Sequence, residues 1–184
     1  MQYNRELIKN IFYSNRDFDA DMQLIVNICY LLNNGLLTFK KEKISTKEIF
    51  DDYSDDLIGG KILKADIDGG ECRHLSLKLI SKDYLAKQGI TDIKIEYEFD
   101  GYIPDIISSN KKIIIECGDT NPDKIFNYFK NKNLEKVIIV TYPNIDDTDI
   151  YAYTFIPNEE LSDFLVFKDK QEFINIKRII NRKK

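Results

Sequence analysis

Two carboxylates stand where ordinary packing rules do not put them. In GYIPDIISSNKKIIIECG, residues 101–118, Asp105 and Glu116 fall inside two apolar runs that read as strands. A carboxylate set into a sheet is costly to desolvate unless a proton, a basic partner or a metal ion compensates it. Two ionised carboxylates ~5 Å apart repel by roughly 3 kcal/mol at an effective dielectric of about 20. A divalent cation between them offsets that repulsion, whereas a shared proton requires a strongly raised pKa.

The remaining inventory restricts which metal that is. The chain has one histidine, His74, and three widely spaced cysteines, Cys29, Cys72 and Cys117. That excludes a disulfide framework, CxxC-type zinc and His-rich catalytic zinc, and leaves a hard cation held by oxygen, Mg2+ or Mn2+. Cys117, with no histidine near it in sequence, reads as a small buried residue, and His74, at a helix start, as structural. Asp119 and Thr120 read as caps ahead of Pro122, with Asp119 also able to reach a metal. Tyr142, ending a strand, is placed to line a cleft, and DDTD at 146–149 reads as a solvated acidic loop.

The elements that position the acids follow from periodicity and stop signals. The first sixty residues read as helical, with an apolar run from Met22 to Leu32 ended by Asn-Asn-Gly and a capping box at Ser45-Thr46-Lys47-Glu48. Two Gly-Gly pairs mark turns, and KILKADI between them reads as a short strand or loop. Residues 73–88 form an amphipathic helix stopped by Gly89. Three strands follow, TDIKIEYEF, YIPDII and KKIIIEC, then a helix with Pro122 in its first turn, a buried strand EKVIIVTY, an edge strand YAYTFI, and closing helices NEELSDFLVF and KQEFINIKRII.

In DIKIEYEF, Ile93, Ile95, Tyr97 and Phe99 alternate with Lys94, Glu96 and Glu98. Asp100-Gly101 is a two-residue hairpin signal that pairs Phe99 with Tyr102 and Glu96 with Asp105. A two-residue turn at Ser109-Asn110 then pairs Asp105 with Ile114 and Ile103 with Glu116. Asp105 and Glu116 become diagonal neighbours on one face, together with Glu98. A register shift of two keeps that face and changes the distance; a shift of one destroys the cluster. Glu96 reads as the solvent side of its strand.

Length and composition suit one globular unit. Of 184 residues, 43% are hydrophobic and 32% charged, and no run approaches the roughly 20 apolar residues of a membrane span. The start, MQYNRELIKN, lacks a secretory layout, so cytoplasmic residence is expected, with no membrane partner. Net charge is −4, but five of the 27 Lys and Arg lie in the last eight residues, KRIINRKK, which hold no acid; the other 176 residues carry 22 bases and 31 acids, a balance of −9. Such a tail is a solvated terminus or a phosphate-contacting arm.

Helix, strand with a terminal acid, PD, about ten residues, an apolar strand ending in Glu, then helix and strand: residues 73–142 resemble the PD-(D/E)XK, or restriction-endonuclease-like, nuclease core. The motif aspartate falls on Asp105, after Pro104, and the motif glutamate on Glu116. The resemblance implies an α/β fold, a central mixed sheet flanked by helices, with a helical extension over 1–60 and the core, C-terminal helices and basic tail over 61–184. It implies Mg2+ or Mn2+ held by Asp105 and Glu116, with Glu98 as a further ligand. The motif lysine falls on Gly118, since the chain reads Glu-Cys-Gly; Lys124 in the following helix is the expected replacement, with Lys78 behind it. The expected activity is metal-dependent hydrolysis of nucleic-acid phosphodiester bonds, by an endonuclease or exonuclease acting foremost on DNA, with a homodimer compatible. The alternative is an inactive nuclease-fold protein that binds nucleic acid or assembles with proteins.

Overall fold

The computed structural model describes residues 5–13, 22–64, 67, 69–143 and 146–169. It is an α/β fold with one six-stranded mixed sheet between two helical layers. The elements are α1 (Arg5–Phe12), α2 (Met22–Asn33), β1 (Leu37–Thr46), α3 (Lys47–Ile58), α4 (Cys72–Lys87), β2 (Ile93–Ile95), β3 (Ile106–Ser108), β4 (Ile113–Cys117), α5 (Pro122–Tyr128), β5 (Lys136–Val140) and β6 (Asp149–Pro157), followed by helical residues 161–169. The strand order is β1-β6-β5-β4-β3-β2, and only β4 and β5 pair in parallel.

The Ile-rich β4 is buried at every position because both faces are covered. Alternation along the strands sends Ile106, Ile115 and Cys117 to the side of α4, where Leu77, Ile80 and Leu85 pack. Ile107 and Ile114 go to the other side, against α1, α2, α5 and residues 161–169. The N-terminal helices therefore share the main core. Among the described residues no helix is long and apolar enough to cross a membrane.

Several expectations are corrected. Residues 37–46 are not helical; they form β1, an edge strand whose Lys40, Lys41, Glu42 and Lys43 are exposed. A charged sequence is what an unpaired edge requires, and it conceals strand periodicity. β6 is consequently interior, not an edge, because β1 covers it. The cap of α3 is Thr46, whose side chain accepts from the Ile49 N–H, one residue later than the Ser45 box. KQEFINIKRII and the basic tail lie outside the described residues.

Both hairpins bear on the site. Asp100 and Gly101 take φ of 50° and 83°, and Phe99 faces Tyr102, as the Asp-Gly turn dictates. The Glu96 N–H donates to the Asp105 carbonyl at 3.1 Å. Glu96 itself has φ 47°, which ends β2 at Ile95 and breaks the expected alternation, so Ile93 packs with α4 while Phe99 is buried on the opposite side. The second turn is longer than two residues: Ser108 Oγ accepts from the N–H groups of Lys112 at 3.2 Å and Ile113 at 3.0 Å, and Lys111 has φ 59°. Ile106 therefore pairs with Ile115 and Ile107 with Ile114, two residues from the expected register. Parity survives over the paired residues, and the ladder ends at Ile106 and Ile115, one step short of Asp105 and Glu116.

Candidate active site

Asp105 and Glu116 meet at the end of the sheet where β3 begins and β4 finishes, and each is gripped by a pair of residues one helical turn apart. His74 and Lys78 lie at i and i+4 on α4; Lys124 and Tyr128 lie at i and i+4 on α5. That spacing stacks two side chains on one helix face. The site is thus built from two helices on opposite faces of the sheet, reaching around its end.

On the α4 side, His74 Nε2 lies 2.8 Å from Asp105 Oδ1, and Lys78 Nζ 3.5 Å from the same oxygen. Asp105 Oδ2 accepts from the Cys117 N–H at 2.7 Å, replacing the ladder bond that β3 no longer supplies. Lys78, with no exposed side-chain surface, also pairs with Glu96 and donates to the Gly69 carbonyl at 3.3 Å. Burial alone would raise the Asp105 pKa, but the His74 hydrogen bond and charge, the Cys117 N–H and the Lys78 charge outweigh it and hold the carboxyl below its ordinary value.

On the α5 side, Lys124 Nζ lies 2.7 Å from Glu116 Oε2, and the Tyr128 O–H donates to Oε1 at 2.5 Å. Glu116 is only 3% exposed. Its burial pushes the carboxyl above the ordinary value despite the opposing Lys124 and Tyr128 contacts, and the Asp105 charge pushes the same way. Two neighbouring carboxylates with oppositely shifted pKa values are a common arrangement where acid and base roles are divided.

The sign of these shifts gives a stability test. Asp105, depressed, stabilises the fold above its unfolded value of 3.8, and that contribution is lost as pH falls through its folded pKa. Glu116, raised, favours the fold when protonated; the contribution is full below its unfolded value of 4.5 and lost as pH rises through its folded pKa. Glu116→Gln therefore melts above the wild type at about pH 8, by the order of 1 kcal/mol common for relieving a functional-site charge, and the gap narrows toward pH 4.5. Thermal melts across that range check it; a variant less stable throughout contradicts it.

Lys78 differs from Lys124 in exposure, 0% against 28% of the side chain. Lys78→Met leaves Asp105 and Glu96 short of their shared cation and is expected to cost about 3 kcal/mol, the lower end for breaking a buried pair, since Glu96 is 32% exposed. Denaturant midpoints measure it, and an unchanged midpoint contradicts it.

Glu98, expected as a third ligand, is exposed and stays outside this network, because the left-handed residue at Glu96 turns the strand before it. The expected single face holding Asp105, Glu116 and Glu98 is replaced by two acids approached from opposite faces. Asn121, not Asp119 or Thr120, caps α5: its side chain accepts from the Asp123 N–H at 2.9 Å. Thr120 Oγ1 instead donates to the Gly118 carbonyl at 3.3 Å. Cys117 is buried with Sγ 3.5 Å from Ser81 Oγ, and burial raises its thiol pKa, so it is no thiolate nucleophile. His74 and Tyr128 carry no site signal by type; their signal is the i, i+4 spacing from Lys78 and Lys124.

Gly118, where the sequence resemblance expects a lysine, has no room for a side chain. Gly118 has φ +79°, and a Cβ there would lie 2.4 Å from Tyr142 Cε2. The Tyr142 ring fills the space a side chain at 118 would enter, and its hydroxyl sits 3.4 Å from His74 Nδ1. Burial, then the nearby Cys117, Asp119 and Asp105, push the Tyr142 phenol up to about 12, so it remains a protonated donor.

The donors fit a hard divalent cation in chemistry. Mg2+ is commonly held by one or two carboxylates and completed by water and phosphate oxygens. Asp105 and Glu116 supply two carboxylates, and an ionised carboxylate offers about four lone-pair sites. Glu116 accepts two hydrogen bonds here, one of them from the partly exposed Lys124. Among the described residues, no group of three or more His, Cys, Asp and Glu side chains forms a ready-made ligand set. Comparisons with protein-family models, with curated proteins and with solved structures find no match.

Proposed function

We propose that the protein is a metal-dependent nuclease that hydrolyses nucleic-acid phosphodiester bonds, DNA foremost, on a restriction-endonuclease-like core. The observation that carries this reading is the Lys124 amine on Glu116: the cationic group missing at Gly118 arrives from the next helix, beside the buried one of the two acids. The element order α4, β2–β3–β4, α5, β5, with β4 parallel to β5, supports it, being the order the motif resemblance implies.

In this reading Asp105 and Glu116 hold Mg2+ or Mn2+, which supplies Lewis-acid polarisation of the scissile phosphate. Asp105, kept ionised by His74, Lys78 and the Cys117 N–H, is the permanent anionic anchor. Glu116, whose carboxyl pKa burial pushes up while Lys124 and Tyr128 pull it down, is the second carboxylate that would hold the cation. Lys124, able to leave Glu116 for solvent, places its ammonium where negative charge develops on the phosphate. Lys78 is locked and serves as a fixed counter-charge.

A second reading, a nuclease fold that binds nucleic acid or a protein without cutting, is favoured by one observation: the oxygens of both acids already have donors from the chain itself. Incubation with single-stranded, double-stranded and branched DNA, and with RNA, in Mg2+ or Mn2+ separates the two. Cation-dependent cutting lost in Asp105→Ala and Glu116→Ala is the expected result. Binding without cutting in either cation overturns the nuclease.

A further inference from the structure

His74 has both ring nitrogens engaged, by residues 31 and 68 positions away in sequence. Nε2 lies 2.8 Å from Asp105 Oδ1, and Nδ1 lies 3.4 Å from the Tyr142 hydroxyl. An ionised carboxylate can only accept, so Nε2 must carry a hydrogen. A phenol that keeps its proton donates, so Nδ1 is the acceptor in the neutral ring. The three groups come from three elements: the first turn of α4, the residue before β3, and the segment after β5. Their hydrogen-bond directions are mutually consistent, and among the described residues no buried side-chain nitrogen or oxygen in the molecule lacks a partner.

We propose that Tyr142 and His74 are positioning residues for Asp105: the Tyr142 O–H fixes the Nε2–H tautomer of His74, and that N–H, with the Cys117 N–H on Oδ2, sets the carboxylate in the orientation that receives the cation. This rests on Asp105 being a cation ligand, as proposed above. It assigns Tyr142 two roles, closing the space beside Gly118 and steering an acid it does not touch. Partners of this kind behind metal-binding groups commonly change metal affinity by about 10–100-fold when removed.

His74 is the chain's only histidine, so its imidazole gives a single set of NMR signals. Two-bond 1H–15N spectra of the full chain at about pH 9 are expected to show Nε2 protonated and Nδ1 bare. Tyr142→Phe, which deletes one oxygen, should move the Nδ1 resonance and leave Nε2–H in place. A proton on Nδ1, or an Nδ1 resonance unmoved by Tyr142→Phe, overturns the relay. In parallel, Mn2+ binding followed by electron paramagnetic resonance should weaken about 10-fold or more in Tyr142→Phe and in His74→Ala, with recovery in His74→Gln, whose amide restores a donor to Asp105. Equal Mn2+ affinity in wild type and Tyr142→Phe overturns the positioning role. A wild type that binds no Mn2+ overturns that role and the metal-dependent function together, while the NMR result separately decides the hydrogen-bonded relay.

Discussion

Lys124→Met lowers cation-dependent cleavage by about 10²–10³-fold, the usual loss when one group that stabilises developing charge is removed. The same substitution changes thermal stability little. Glu116 keeps the Tyr128 hydrogen bond, and burial raises its carboxyl pKa, which softens the loss of its cation. The contrast with Lys78 is the informative part. Both lysines touch a carboxylate, yet Lys78 has no exposed surface and no freedom to leave, so its removal shows up in folding. Cleavage rates at saturating Mn2+, set beside melting curves, separate the two. Full activity in Lys124→Met makes that lysine a mere counter-ion of Glu116 and removes the reason for placing the working amine on α5.

Gly118→Lys, which restores the Glu-x-Lys spacing, brings no gain in activity and destabilises the fold by about 2–6 kcal/mol. Part of that is backbone strain, because φ +79° is sparsely populated for an L side chain and costs of order 1–3 kcal/mol. The rest is overpacking, of similar size, since the new Cβ meets the Tyr142 ring at 2.4 Å and 2.8 Å. Adding Tyr142→Ala relieves the second part only, so the double variant recovers some stability and remains below the wild type. Urea unfolding of the wild type and both variants measures this. A Gly118→Lys midpoint equal to that of the wild type contradicts it.

The acids and their lysines were legible in the sequence because the signals were local. Asp100-Gly101 fixes its hairpin through two residues of positive φ, and an acid closing a run of three isoleucines is conspicuous by composition. Lys124 is the lysine that the resemblance points to once Gly118 stands at the lysine position. What the sequence concealed depends on long-range packing. The four-residue turn after Ser108 is closed by side-chain hydrogen bonds that no dipeptide announces, so the register shifted by two. Glu96 takes a left-handed conformation where strand alternation continued on paper, and this moved Glu98 out and brought Glu96 to Lys78. β1 was hidden because an edge strand dresses itself in lysines. His74 and Tyr142 lie 68 positions apart, and only the folded sheet brings them to each other.

Anomalous diffraction from crystals containing Mn2+ tests the central claim most directly. A metal peak is expected at coordination distance, about 2.1 Å for a small hard divalent cation, from an Oδ of Asp105 and an Oε of Glu116, with the Lys124 ammonium displaced from its 2.7 Å contact with Glu116. The contradicting result is equally definite: Lys124 still seated on Glu116 at saturating Mn2+, and the metal found only elsewhere, as in the acidic hollow lined by Asp51, Asp52, Asp146, Asp147 and Asp149.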